Sequence, residues 1–370
     1  MHLELPKWYD LHAHFRQDDL IKPLVQNHVA MGCVGILAMP NTKPPVAKIF
    51  KNDALPYWSV EEYKEKLTDA ADGALSEVIV PLYLTKDTTP DMIEEGAKSG
   101  QLKACKYYPP YGTTGASFGH VLENFMDNGV LKAMQECGIT LCLHGEEHGM
   151  KSEDYFDRKG NAEEFFYQNR MPKLVDKFPN LRLVGEHLTT KVAVDFIMAA
   201  PDHVGATITP QHLLYTVGHM LKSLNYHLYC LPLLKFEEDR HALRIAATSS
   251  QNAKFFAGTD SAPHTNKMTP CGCAAGCYTG GVAPQLYAQA FEESSIDLST
   301  TEGFEAFKNF LCINGPKFYN LPIPEETFTL EKSKQVIEPL QVGDNTIFPL
   351  PNGLGKEGQS QAIIPWRLIL

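Results

Sequence analysis

No apolar run in this sequence is long enough to cross a bilayer, which takes about 20 residues in a helix. The opening residues, MHLELPKWYD, lack both the basic region and the apolar stretch of a secretory signal. Membrane insertion and export are therefore not expected, and a cytoplasmic protein is. Positive charge is also in short supply: 33 Lys and Arg stand against 44 Asp and Glu, a net charge of −11. Phosphate backbones need clustered cations, so no nucleic-acid surface is expected. A small anionic substrate needs only one local cationic pocket and is not excluded. Internal repeats, low-complexity tracts and an evident linker are missing too. So is a glycine-rich phosphate turn after the first candidate strand, where FRQDDL stands instead. An open, doubly wound nucleotide-binding sheet would usually carry one.

What is present is an ordinary globular composition, 44% hydrophobic and 21% charged over 370 residues. The nine cysteines are an odd number. Cys33, Cys142 and Cys312 sit inside apolar runs and read as small buried hydrophobes in a reducing compartment. Short apolar runs recur along the chain: YDLHAHF, VGILAMP, EVIVPLYLT, LKACKYYP, TLCLHGE, LRLVGEHLT, VGATITP and AKFFAGTD. Helical patterns such as SVEEYKEKLTDAADGA, PDMIEEGAKSG, VLENFMDNGVLKAMQECG and KVAVDFIMAAP separate them. Continuous apolar strands alternating with amphipathic helices indicate a parallel sheet. Eight such strands predict an α/β fold of the (β/α)8 TIM-barrel type, which takes about 250 residues plus insertions. From about Phe328 the pattern changes to short strands and turns. The expected division is a barrel over residues 1–325 and a short C-terminal appendage packed on it over 326–370. Few residues precede the first strand, so no separate N-terminal domain is expected.

Catalytic groups of such a barrel sit at the C-terminal ends of its strands. The polar residues fall there. His12, His14 and Arg16 end the first strand, Asn41 the second and Lys106 the fourth. His144 ends the fifth, His187 the sixth, and Asp260 the eighth, with His264 just beyond. Strand residues i and i+2 share a face, so His12 and His14 point together into the barrel mouth. Imidazole and carboxylate together suit Zn²⁺. A His-X-His pair alone carries little weight, a single strand-end histidine is usually just hydrogen-bonded, and a strand lysine can simply be salt-bridged. The weight comes from the constellation at matching strand ends.

The remaining histidines, His28, His148, His203, His219, His227 and His241, fall in helix or loop segments and are expected to titrate freely or cap structure. His212 follows the seventh strand and is placed near the site without a role. CGCAAGC, with Cys271, Cys273 and Cys277, has the spacing of a metal clip. A structural zinc site normally needs four ligands, and none completes the set nearby unless His264 does. The segment is expected to be a reduced loop by the active site.

Taken in order from about residue 10 to 323, DLHAHFR, MPNT, KACKYYPPYGTTGAS, LHGE, GEHLTTK, TPQHL, YCLPLLK, GTDSAPH and INGPKFYNLP resemble the dihydroorotases. The likeness is to their short bacterial type, within the amidohydrolase superfamily. GTDSAPH with the nearby Cys-Gly-Cys run is the feature particular to that type. The resemblance implies a (β/α)8 barrel, two zinc ions, and reversible interconversion of N-carbamoyl-L-aspartate and L-dihydroorotate in pyrimidine (UMP) biosynthesis. It implies that His12, His14 and Asp260 hold one zinc and that His144 and His187 hold the other. Lys106 would be carboxylated on its side-chain nitrogen and bridge both metals. Arg16, Asn41 and His264 are implied as contacts to the substrate carboxylate. Thr113 and Thr114 are implied in a mobile loop that closes over substrate, and backbone groups near Leu231 and Ala274 as contacts to the ring. Two departures stand out. The family often reads Lys-Leu-Tyr-Pro where this chain has Lys-Tyr-Tyr-Pro, and the cysteine loop carries one extra alanine, Ala274 or Ala275. Beyond about Glu325 the resemblance supports no functional expectation.

The implied chemistry is coherent. Two divalent cations would repel a protonated lysine, whereas a carbamate on Lys106 supplies an anion with an oxygen for each metal. Asp260 is expected to accept a proton on attack and return it to the leaving nitrogen. Arg16 offers a bidentate fork to a carboxylate. Two other readings are another cyclic amidohydrolase, of the hydantoinase or allantoinase type, and a non-catalytic metal-binding barrel subunit. Arg16 and Asn41 favour a substrate that carries a carboxylate, and no ligand position is lost. The assembly state is left open, a homodimer included.

Overall fold

The computed structural model describes residues 1–158, 160–222, 224–270, 272–352, 354 and 362–370. Its centre is a ring of parallel strands. In chain order they are β1 (Trp8–Ala13), β2 (Cys33–Ala38), β3 (Glu77–Ile79, resuming as Leu82–Tyr83), β4 (Ala104–Tyr107), β5 (Thr140–Leu143), β6 (Leu183–Gly185), β7 (Val204–Ile208) and β8 (Phe255–Ala257). Pairing runs β1–β2–β3 and then β3–β4–β5–β6–β7–β8. Pro81 falls in the break of β3, where it cannot donate to a ladder. The seam between β8 and β1 is closed just past the strands. The Asp260 amide donates to His12 O at 2.8 Å, and the His14 amide donates to Ser261 O at 2.9 Å. The expected (β/α)8 barrel is the observed fold.

The strands read as unbroken apolar runs because helices cover them on the outside while side chains fill the inside. Every residue of β2 and of β7 is buried. Gly35 in β2 has no alternative, since a Cβ there would lie 2.4 Å from the Tyr9 ring of β1. Threonine caps turn the chain from strand end into helix where the site is built. Thr190 accepts from the Ala193 amide at the start of the helix Lys191–Ala199, and Thr209 does so from the His212 amide at Pro210–Leu214. The pattern VLENFMDNGVLKAMQECG, which reads as one helix, forms two, Leu122–Asp127 and Val130–Cys137. Gly129 separates them at φ 89°, a left-handed conformation that ends a helix.

The C-terminal residues do form short strands. Thr327–Glu331 lies between His2–Pro6 and Arg367–Ile369 in an antiparallel sheet, so the chain's first strand joins its last ones. A hairpin, Leu340–Val342 with Asn345–Ile347, follows. Cysteines 33, 142 and 312 are buried, and no disulfide forms among the described residues. No helix among the described residues is long and apolar enough to cross a membrane.

Candidate metal centre

His12 and His14 at the end of β1 turn together toward Asp260, while Asp10 turns to His28 on the outer helix, and the register of β1 against β2 shifts between Asp10 and Ala13. Asp10, His12 and His14 are all buried. His12 Nδ1 lies 2.6 Å from Glu186 Oε2, and His14 Nδ1 lies 2.8 Å from Asn41 Oδ1. Each ring thus has an acceptor behind it and turns Nε2 toward Asp260 Oδ1, at 3.4 Å for His12 and 2.9 Å for His14. An imidazole backed by an acceptor on one nitrogen is oriented to ligate a metal with the other. Among the described residues, His12, His14 and Asp260 bring three ligand atoms within 4.8 Å of one another.

The second half of the site faces this trio. His187 stacks edge-on between His12 and His144, with ring centroids 5.0 and 4.8 Å away. His144 Nε2 lies 2.8 Å from Glu146 Oε2, and Tyr155 donates its hydroxyl to the same carboxylate. Lys106, 0% exposed, projects from β4 with its Nζ 5.0 Å from the centre of the Tyr108 ring. Lys106 Nζ, His187 Nδ1 and Tyr108 Oη have no hydrogen-bond partner among the described residues. Buried polar atoms are rarely left so. A cluster of them between imidazoles and a carboxylate fits a site that is completed by metal ions.

Electrostatics point the same way. Burial pushes the Lys106 ammonium toward its neutral form, against the pull of Glu186 and Asp260. Burial would raise Asp260, yet the His14 hydrogen bond and the charges of His12, His14 and Lys106 hold it at about 2. Burial lowers His14 to about 4 and drives His187 well below the usual imidazole range. Burial thus disfavours the charged forms of Lys106, His14 and His187, while Asp260 keeps its carboxylate. Asp260, His187 and Arg16 also occupy the left-handed region, at φ 46°, 43° and 58°. Such backbone persists where the surrounding structure holds it in place, and it clusters at functional sites.

Beside the cluster lies a cavity of about 310 Å³ that Arg16, Asn41, Thr114, Pro263 and His264 help to line. Arg16 donates from Nε to Pro263 O at 3.0 Å, and His264 Nε2 donates to Ala275 O at 2.7 Å. His264 is held at about 3 by burial, then by the Arg16 charge, so the basic side chains that line the cavity are Arg16 and Lys43. Thr114 joins the same wall. Its carbonyl accepts from Asn41 Nδ2 at 2.8 Å, and its hydroxyl donates to Ala275 O at 3.4 Å. Thr113 contributes a carbonyl that accepts from the Ala116 amide within the loop. The Ala274 amide is engaged on Lys267 O, which leaves Ala275 as the alanine facing His264 and Thr114. Leu231 precedes Pro232, whose carbonyl meets His212 Nε2 at 3.2 Å.

One expectation about the histidines changes. His28 belongs to the buried interior: it is 0% exposed, its Nδ1 meets Leu24 O, and its Nε2 lies 3.2 Å from Asp10 Oδ2. It follows Ile21 and Leu24 on the inward face of the helix Ile21–Val29, a spacing visible in the sequence. His212 is buried as a neutral ring between Thr209 and Pro232. His148, His203, His219, His227 and His241 are part-exposed or exposed. In the cysteine loop, Cys273 and Cys277 contact the carbonyls of Tyr226 and His227, and Cys271 lies outside the described residues. Sequence reasoning missed Asp10, Glu146 and Glu186. Each is an acid within two positions of a candidate ligand histidine, and that was the available signal.

A parallel barrel that gathers imidazoles, a buried lysine and a carboxylate at the C-terminal ends of its strands has the build of the amidohydrolase superfamily. No family model matches the chain. A dihydroorotase of Shewanella amazonensis is 42% identical over 358 residues, covering 95% of this chain and 97% of that one. One from Nitrosococcus oceani is 40% identical, covering 99% and 98%. The crystal structure of Saccharomyces cerevisiae dihydroorotase with 5-fluoroorotic acid superposes with a TM-score of 0.84 at 29% identity, covering 99% and 98%. The chain belongs to the dihydroorotase family, metal-dependent hydrolases that act on cyclic amides.

Proposed function

We propose that this chain interconverts N-carbamoyl-L-aspartate and L-dihydroorotate for pyrimidine synthesis in the cytoplasm. The hydrolase unit is the barrel, residues 1–325, and residues 326–370 are an appendage on it. The observation that carries the reading is Lys106: a wholly buried lysine without a hydrogen-bond partner among the described residues, beside candidate metal ligands. A neutral amine adds to CO₂ and loses a proton to become a carbamate, an anion that would offer an oxygen to each of two metals. His12, His14 and Asp260 would hold one zinc, His144 and His187 the other, with carboxylated Lys106 between them. When bound, such ions lower the pKa of water from 15.7 to about 7 and polarise the amide carbonyl.

The chain's own groups do the rest. Arg16 receives the substrate carboxylate on its Nη end, because Pro263 holds its Nε edge. Asn41 and His264 flank that carboxylate, and backbone groups at Leu231 and in the Ala274–Ala275 segment meet the ring, with the Ala274 amide itself held by Lys267 O. Water adds to the ring carbonyl and the C–N bond breaks. Asp260 accepts the proton that the water loses and delivers it to the departing nitrogen. In reverse the same groups close the ring. Thr113 and Thr114 close over the bound substrate and keep out bulk water. The test is turnover of dihydroorotate by purified protein with and without a chelator. Loss of turnover with the chelator, restored by zinc, supports the reading. A zinc-loaded protein that is inert on dihydroorotate but opens hydantoins would overturn it.

A further inference from the structure

Asn41 commits both ends of its amide inside the site. Thr114 O can only accept a hydrogen bond, so the atom that meets it at 2.8 Å is Nδ2. Oδ1 therefore faces His14 Nδ1 at 2.8 Å, and Nδ1 must carry the hydrogen. A neutral imidazole has a single N–H. His14 Nε2 is then left with its lone pair, turned to Asp260 Oδ1 at 2.9 Å, where a cation would sit. The loop is also seated on Asn41 sterically. Gly115 sits at φ 75°, and a Cβ there would lie 3.1 Å from Asn41 O and 3.2 Å from Asn41 Cβ.

We infer that Asn41 is a positioning residue that couples the seating of loop 109–119 to the metal-binding tautomer of His14. The inference rests on reading His14 as a metal ligand. With the loop lifted, Nδ2 loses its acceptor and the amide is free to turn over. Its NH₂ group would then face His14 Nδ1 and favour the tautomer with hydrogen on Nε2, which cannot ligate. Coupling of this kind is reciprocal: a seated loop tightens metal binding, and bound metal seats the loop. The second hydrogen of Nδ2 stays available to a substrate carboxylate in the adjoining cavity.

The first test needs no variant. Zinc added to metal-free protein, in bicarbonate, should slow amide hydrogen exchange in residues 109–119. Unchanged exchange there would overturn the coupling. The second measures zinc affinity by competition with a chelator. Gly115→Ala touches no ligand, yet it should weaken zinc binding about 10-fold, the scale of lost support behind a ligand histidine. Asn41→Ala should do the same, and the double variant should be no weaker than either. Asn41→Asp keeps an acceptor for His14 but repels the Thr114 carbonyl. It should hold zinc at least as tightly as the natural chain while its loop exchanges faster and its KM rises. Wild-type affinity in Gly115→Ala, or additive losses in the double variant, would overturn the inference. A natural chain that holds no zinc would overturn the metal reading with it. A zinc-loaded, active natural chain with an unperturbed Gly115→Ala would overturn this inference alone.

Discussion

In the proposed mechanism Asp260 carries two duties on one carboxylate, as a ligand beside His12 and His14 and as the proton carrier. The neighbouring imidazoles keep it ionised despite its burial. Asp260→Asn retains the shape and one acceptor oxygen but loses the charge and cannot take up a proton. Turnover should fall at least 10²-fold, the lower range for a lost acid–base group, while circular dichroism and thermal midpoint stay near wild type. Near-normal turnover in a folded Asp260→Asn protein would remove the assigned role. Arg16 tests the other end of the substrate. Arg16→Lys keeps the charge and loses the planar fork, so KM should rise about 10-fold or more with zinc content unchanged. An unchanged KM with lost zinc would make Arg16 a support of the β1 end instead.

At the scale of elements, the proposed lid is the part whose function would depend on movement. Residues 109–119 leave β4 directly after Lys106 and reach the wall built by Asn41 and Ala275. In the proposal, the hydroxyls of Thr113 and Thr114 are groups that the loop would offer to substrate. Changing both to Ala should lower turnover about 10²-fold through lost closure, with zinc content and thermal midpoint little altered. Normal turnover by the double variant would reduce the loop to an ordinary surface turn. The strands that carry the site were legible in the sequence because a parallel barrel buries both faces of each strand, which leaves unbroken apolar runs such as CVGILA and VGATI. The candidate ligands were legible because they interrupt those runs at their C-terminal ends. The split at Gly129 was not, because the apolar spacing continues across it and only the positive φ breaks the helix. Nor were the pairings of Glu186 with His12 and Asn41 with His14, which join residues 174 and 27 positions apart.

For the molecule as a whole, the critical place is the seam where the last strand meets the first. Asp10 Oδ1 accepts from the Thr259 amide at 3.0 Å and Oδ2 from its hydroxyl at 2.6 Å, while His28 packs against the same carboxylate. One buried acid on β1 thus fixes the segment just past β8 that presents Asp260. Asp10→Ala would leave His28 and Thr259 without their partner, and breaking a buried pair costs about 3–5 kcal/mol. Urea denaturation should show a loss of that order, and a loss below about 1 kcal/mol would show that the seam is held elsewhere.

The central claim is that the cluster around Lys106 holds two metals and that they are needed to open or close the dihydroorotate ring. The measurement that meets it most directly is a zinc titration of chelated protein in bicarbonate, with bound zinc and dihydroorotate turnover read on the same samples. Turnover should start from zero and reach its plateau at about two zinc per chain, with metal-water chemistry as its source. Full turnover by the metal-free protein, or a plateau of bound zinc with no turnover at all, would contradict the account.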